Sequence, residues 1–172
     1  MATLQENRVK FNSKLVVNNT GGNLSTDAGL ILVKEFMDSI QFSKLATQNL
    51  TFNDKRRYWS HNNLSLLEQI LFQIIAGYSA DSSANLLKED PIFRLVLGKE
   101  EIASQASLSR FWDRISETTI AQFQNLNQAM IDKVRLNRNS TELIWILLIQ
   151  IHLVIKKKRI TMPITEQTVI IL

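Results

Sequence analysis

A chain of 172 residues can hold one domain of ordinary size, or one domain and a fragment of a second. Its 45% apolar and 21% charged residues are ordinary for a globular protein, five Gly and two Pro speak for helices over a turn-rich β fold, and the lack of Cys excludes disulfides and thiolate metal sites. The net charge is +4, but residues 145–172 set Lys156, Lys157, Lys158 and Arg159 against Glu166 alone, which leaves only +1 for residues 1–144. The start "MATLQENRVKFNSK" lacks the apolar core of a signal peptide. No apolar run reaches the ~20 residues that span a bilayer. A cytoplasmic chain with no membrane partner is therefore expected.

In chain order, residues 8–17, "RVKFNSKLVV", alternate loosely between apolar and polar and predict one or two short strands. "NNTGGN" (18–23) predicts a turn, because Gly and Asn tolerate positive φ. Ser25 is placed to cap a helix, with Asp27 in its first turn, and Leu30, Val33, Met37 and Ile40 recur at helical spacing. A short helix "FSKLATQN" follows, then a polar, basic connector, "NDKRRYWSHNN" (53–63). Leu64 to Tyr78 is the most apolar helix of the body. Its Leu66, Leu67, Ile70, Leu71, Ile74 and Ile75 cover more than one stripe, which predicts a place at the centre of a bundle.

Asn85 to Lys88 suggests another helical turn. Asp90-Pro91 reads as a cap and first helical position, and Gly98 as the stop after "IFRLVL". "SQASLSRFWDRIS" comes next, followed by a long amphipathic helix marked by Ile120, Phe123, Leu126, Met130 and Val134 that ends near Leu136. "NRNS" (137–140) is a polar loop, and "TELI" (141–144) starts a strand. The expected fold class is mainly α: a helical bundle with a short N-terminal β-hairpin or strand and a helix-turn-helix-like segment. The C-terminal tail is expected not to fold natively.

"SQASLSRFWDRI" is the segment of the body that carries most information about function. Ser104 suits an N-cap, and Leu108, Phe111 or Trp112, and Ile115 would face inward. Gln105, Ser107, Arg110 and Arg114 then lie largely outward. A helix behind a short turn with such residues near its start is what a recognition helix requires. Gln bonds adenine, Arg bonds guanine and Ser suits a phosphate or a base edge. "PIFRLVL" would be its partner in the helix-turn-helix. A capped amphipathic surface helix with no ligand accounts for the same letters. "DKRRYW" (54–59) supplies Lys55, Arg56 and Arg57 beside two aromatics, a candidate phosphate contact or a solvated loop.

Catalytic patterns are poor. His61 and His152 are the two histidines and stand in unrelated contexts, His61 as a polar loop residue near a helix start. The carboxylates of the body show no metal-ligand spacing, and no phosphate loop is present.

Taken together, "TGGNLSTDAGLILVKEF", "LLEQILFQIIAGYSADSSANLLKEDPIFRLVLGK" and "ASQASLSRFWDRI" resemble the N-terminal half of DDE-type insertion-sequence transposases. The shared marks are a Gly-Tyr-x-Asp-Ala-like turn at 77–84, an "L-x-x-DP" step at 86–91 and an "SQ-x-x-LSRF" helix at 104–111. The step departs slightly, with Leu87, Lys88 and Glu89 before Asp90. The resemblance implies double-stranded DNA as partner, in the form of the element's terminal inverted repeats, and self-association or association with intact transposase. It also implies cutting and joining by an RNase-H-like domain whose carboxylates hold two Mg²⁺ ions. In the family the first catalytic Asp follows a "p-x-E-L-I"-like entry in a "D-x-D-S-T" motif. Thr141, Glu142, Leu143 and Ile144 supply the entry here, but "WILLIQ" follows in place of the Asp.

The codons account for that departure. Trp is always TGG and Ile always begins AT, so dropping two bases at Trp145 joins G to AT and forces an Asp codon. Met162-Pro163 forces Ala in the same frame. With permitted synonymous codons elsewhere, the tail rereads as "DSTDSNTLSYQKKTDYNAHYGTNGYHP", which resembles the family's catalytic strand and its continuation. The expected domains are therefore 1–140, a DNA-binding region, and 141–172, the start of a catalytic domain lost to an out-of-frame tail. No catalytic residue, metal ligand or cofactor is expected in the chain itself. A real C-terminal strand with a basic arm is the alternative for the tail, and a helical oligomerisation module that never touches DNA is the alternative for the whole.

Overall fold

The computed structural model describes residues 7–17 and 27–136. The expected turn at 18–23, the Ser25 cap, the 137–140 loop, the "TELI" strand and the tail lie outside those residues. Within them the chain is mainly helical. The helices are α1 (Leu30–Ser39), α2 (Phe42–Asn49), α3 (Asn63–Ile75), α4 (Ser83–Leu87), α5 (Pro91–Leu97), α6 (Gln105–Trp112) and α7 (Glu117–Leu136).

The N-terminal β-hairpin is the first correction. Residues 8–17 do not form it as an element of the fold. Two residues on each side, Asn7–Arg8 and Val16–Val17, meet antiparallel, and the stretch between them is loop. The amides that would extend a ladder are used elsewhere. The Glu35 carboxylate on α1 accepts from Lys10 N at 2.8 Å and Phe11 N at 3.3 Å. Asn12 turns the chain locally, its Oδ1 accepting from Lys14 N and its carbonyl from Leu15 N. The stretch is thus pinned to a helix.

α3 is the hub. Leu66, Leu67, Ile70, Leu71 and Phe72 are buried in it, and it packs against α2, α5 and α6. α1 lies on α5 and α2, and α2 lies on α7, so one continuous core runs from Leu30 to Val134. α7 contributes Ile120, Phe123, Leu126, Met130 and Val134, the stripe that periodicity predicts. The helix expected over 64–78 starts one residue earlier, where the Asn62 side chain accepts from Ser65 N at 2.8 Å. It stops at Ile75 because Gly77 turns left-handed, at φ +92°.

The helix-turn-helix pairing is the second correction. α5 carries both expected caps: Asp90 Oδ1 accepts from Ile92 N and Phe93 N, and Gly98 sits at φ +62°. Yet α6 packs chiefly on α3 and α4. The link from α5 spans 98–104, longer than the 3–4-residue turn that sets two helices in that motif.

Candidate nucleic-acid interface

α6 is held in place from below by one side chain. Gln69 on α3 is 2% exposed and meets the backbone of Ala103, which has no exposure at all. Gln69 Nε2 donates to Ala103 O at 2.9 Å, and Ala103 N donates to Gln69 Oε1 at 2.7 Å. The amide thus mimics a strand partner and fixes the residue before the Ser104 cap position. Leu108, Phe111 and Ile115 are buried beneath the helix, and Phe111 stacks at a tilt on Phe52, centroids 5.4 Å apart. Of the two aromatics open on sequence, Phe111 takes the core and Trp112 stays half-buried beside it.

The four residues expected to face outward are in four different states, and Arg114 lies past the end of α6, in the turn that follows it. Gln105 is exposed and its Oε1 accepts from Asn85 Nδ2 on α4 at 3.4 Å. Ser107 Oγ lies 3.3 Å from Ser104 Oγ. Arg110 is exposed, with its Nε bonded to Ala106 O of its own helix. Arg114 is half-buried, and its Nη1 donates to Asn63 Oδ1 at 2.9 Å.

The connector before α3 folds back onto this helix. Asn53 N donates to Arg114 O at 2.9 Å, which ties the two ends together. Asp54 and Arg56 form a two-pronged ion pair, Nε to Oδ1 at 2.8 Å and Nη2 to Oδ2 at 2.6 Å. Asn63 sits between them and α6: its Nδ2 donates to Asp54 Oδ2, and its Oδ1 accepts from both Arg56 and Arg114. The Arg56 guanidinium holds the Asp54 carboxyl well below the usual carboxylate range, and Asp54 raises Arg56 in turn. Burial, and then the nearby Arg56, push Arg114 down from the ordinary guanidinium value. Arg56 and Arg110 push Arg114 down while the Asp54 and Asp113 carboxylates push it up, so like and opposite charges meet at this residue.

Arg56, Arg110, Arg114 and Ser107 converge on one cleft of about 190 Å³, whose other walls are Tyr58, Trp59, Ser60, His61 and Leu66. Lys55 and Arg57 are exposed on the same connector but do not line the cleft, and neither does Gln105. Arg56, expected to be free for phosphate, is spent largely on Asp54, Asn63 and the His61 carbonyl. It also lies 6.0 Å from the centroid of the Trp59 ring, within cation–π range.

Three further residues line the cleft: Tyr58 and Trp59, which the sequence offers only as two aromatics beside basic residues, and His61, which it offers only as a loop residue. Tyr58 is 91% and Trp59 57% exposed, and both belong to the cleft rim. His61 is half-buried and, with Ser60 and Ser107, lines both this cleft and a second one of about 440 Å³. That second cleft is walled by Lys88, Glu89, Arg94, Glu101 and Ser104 among others. Lys99 Nζ lies 3.0 Å from His61 Nδ1. An ammonium only donates, so Nδ1 accepts and the ring carries its proton on Nε2. Burial, and then Lys99, push His61 below the ordinary imidazole value, and burial pushes Lys99 down as well. The exposed Tyr-Trp pair in a basic connector was the available signal; the His61–Lys99 contact left none, since 38 residues separate the partners.

Among the described residues no three His, Asp or Glu side chains gather closely enough to hold a metal ion. The strand expected to carry the first ligand of the magnesium pair that the resemblance implies falls outside them. Among the described residues no helix is long and apolar enough to cross a membrane.

No curated protein and no solved structure matches the chain. Residues 7–147 match one protein family, described as Transposase DDE domain group 1, and the chain belongs to that family of DNA-transposing proteins.

Proposed function

We propose that this chain is a truncated transposase that keeps a DNA-binding region and has no working strand-transfer centre. The observation that carries the binding half is the convergence of Arg110, Arg114, Arg56 and Ser107 on one cleft. Guanidinium groups lining one cleft suit phosphate oxygens. The partner is double-stranded DNA, specifically the inverted repeats of the element. Gln105, Ser107, Arg110 and Arg114 are assigned the base-reading or positioning contacts, and Lys55 and Arg57 the backbone. Arg56 orders the connector.

The inactive half rests on the letters after Ile144. The family match ends at residue 147, where the expected Asp-bearing strand would begin to differ most from "WILLIQ". A two-base slip at codon 145 accounts for both. The nucleotide sequence through that codon tests it directly: a DNA that does not spell "DSTDSN" in the neighbouring frame removes the reading. Purified protein that nicks or joins inverted-repeat DNA with Mg²⁺ refutes it too.

The binding half is tested by gel shift of the full chain on duplex DNA across a salt series. Affinity should fall steeply with salt, by close to one logarithmic unit per phosphate contact for each tenfold rise. Arg110→Ala should weaken binding by about 1–3 kcal/mol if Arg110 reads a base. An unchanged Arg110→Ala shift counts against the assignment.

The charge of +1 on residues 1–144 favours a second reading: a helical module that associates with intact transposase and modulates it without touching DNA. Salt-insensitive behaviour on duplex DNA, together with co-elution with the intact enzyme, would select it. A cytoplasmic location is part of either proposal.

A further inference from the structure

Two aromatic rings held in the open beside guanidiniums are poorly suited to duplex DNA. In a duplex the faces of the bases are covered by their neighbours, and only edges and backbone are offered. Trp59 and Tyr58 present ring surface, and the cleft they border, about 190 Å³, is narrower than the pockets that take drug-sized ligands. It has room for one planar ring system.

Trp59 is also preorganised. Arg56 beside its ring is fixed by two bonds to Asp54, one to the His61 carbonyl and one to Asn63. A guanidinium so held fixes the ring's surroundings while 57% of the residue stays open to solvent. Ser107, Arg110 and Arg114 line the same cleft, where an incoming phosphate would meet them.

We infer that this cleft captures a single unpaired base of DNA, stacked against Trp59 with Tyr58 at the rim, while Arg110 and Arg114 hold the adjoining phosphate. This deepens the proposed DNA-binding role of the same surface and rests on it. The preferred ligand is a DNA end or junction with at least one base out of the helix, and the closed duplex is the weaker one.

The test compares two synthetic probes with the full chain. One is a blunt duplex of arbitrary sequence. The other is the same duplex with a three-nucleotide 3′ overhang carrying 2-aminopurine. Base–aromatic stacking predicts about fivefold or more tighter binding of the overhang probe, with quenching of the 2-aminopurine emission. Trp59→Ala should abolish both the preference and the quenching, and Trp59→Phe, which keeps a π face, should restore most of each. Trp59 is exposed, so its removal should leave the melting temperature unchanged, and Tyr58→Ala offers a second rim variant. Equal affinity for the two probes, or a preference that survives Trp59→Ala, overturns the inference and leaves the DNA-binding role standing. Failure to bind either probe defeats the proposed role itself.

Discussion

Replacing Gln69 by Leu removes the clamp under α6 with little change in volume. In the native chain its amide satisfies both backbone groups of Ala103, at 2.9 and 2.7 Å, in a place without solvent. The leucine leaves one N–H and one C=O buried and unpaired, at about 1–3 kcal/mol each. Its added apolar contact offsets about 1 kcal/mol of that. The net loss is about 3 kcal/mol, which for a domain of this size lowers the melting temperature by about 10 °C. Thermal melts followed by far-UV circular dichroism measure it. Gln69→Glu makes the sharper control, because a carboxylate still accepts from Ala103 N but faces the Ala103 carbonyl with no proton to give. That variant should recover part of its stability when acid protonates it. A leucine variant melting within about 2 °C of the native chain would show that the clamp does not hold α6.

Other outcomes follow from the same geometry. Asp90→Ala removes two capping bonds at the start of α5 and should cost about 1 kcal/mol by urea denaturation. Gly98→Ala should cost a similar ~1 kcal/mol from backbone conformation alone, since φ is +62° there and an added Cβ meets nothing within 4 Å. His61 titrates below its ordinary value of 6.5 in the folded chain, so the unfolded chain binds the proton first. Stability should therefore hold above pH 6.5 and decline as pH falls beneath it. His61→Gln should flatten that decline before the carboxylates begin to titrate; an identical pH profile for the variant would show that the ring is not held neutral.

Much of the helical order was legible because it is written locally. Asp90-Pro91 and Gly98 bracket α5 by chemistry that acts within two or three residues. The stripes of α3 and α7 show at helical spacing whichever neighbours they meet. The N-terminal hairpin does not extend past two residues on each side, for a reason no local reading contains: Glu35, 24 and 25 residues away, takes the amides of Phe11 and Lys10. The helix-turn-helix failed similarly, since α6 found α3 and α4 before α5. The candidate site was half legible. Residue types in "DKRRYW" and "SQASLSRF" pointed to two separate patches. That they share one cleft depends on Asn53 meeting Arg114, 61 positions on, and on Asn63 meeting the same residue. The pairing of Arg56 with Asp54, two positions earlier, leaves no mark in the residue types of that polar loop.

Asn63 opens α3 and binds an anion with one end and two cations with the other. Its amide cannot rotate by half a turn, since that would aim hydrogens at two guanidiniums and an oxygen at a carboxylate. Aspartate there would keep the cations but repel Asp54. The connector and the turn that follows α6 are consequently tied at this junction, and a ligand that tilts one must carry the other with it. The two halves of the surface would then respond to DNA as a single jaw, without a hinge between them.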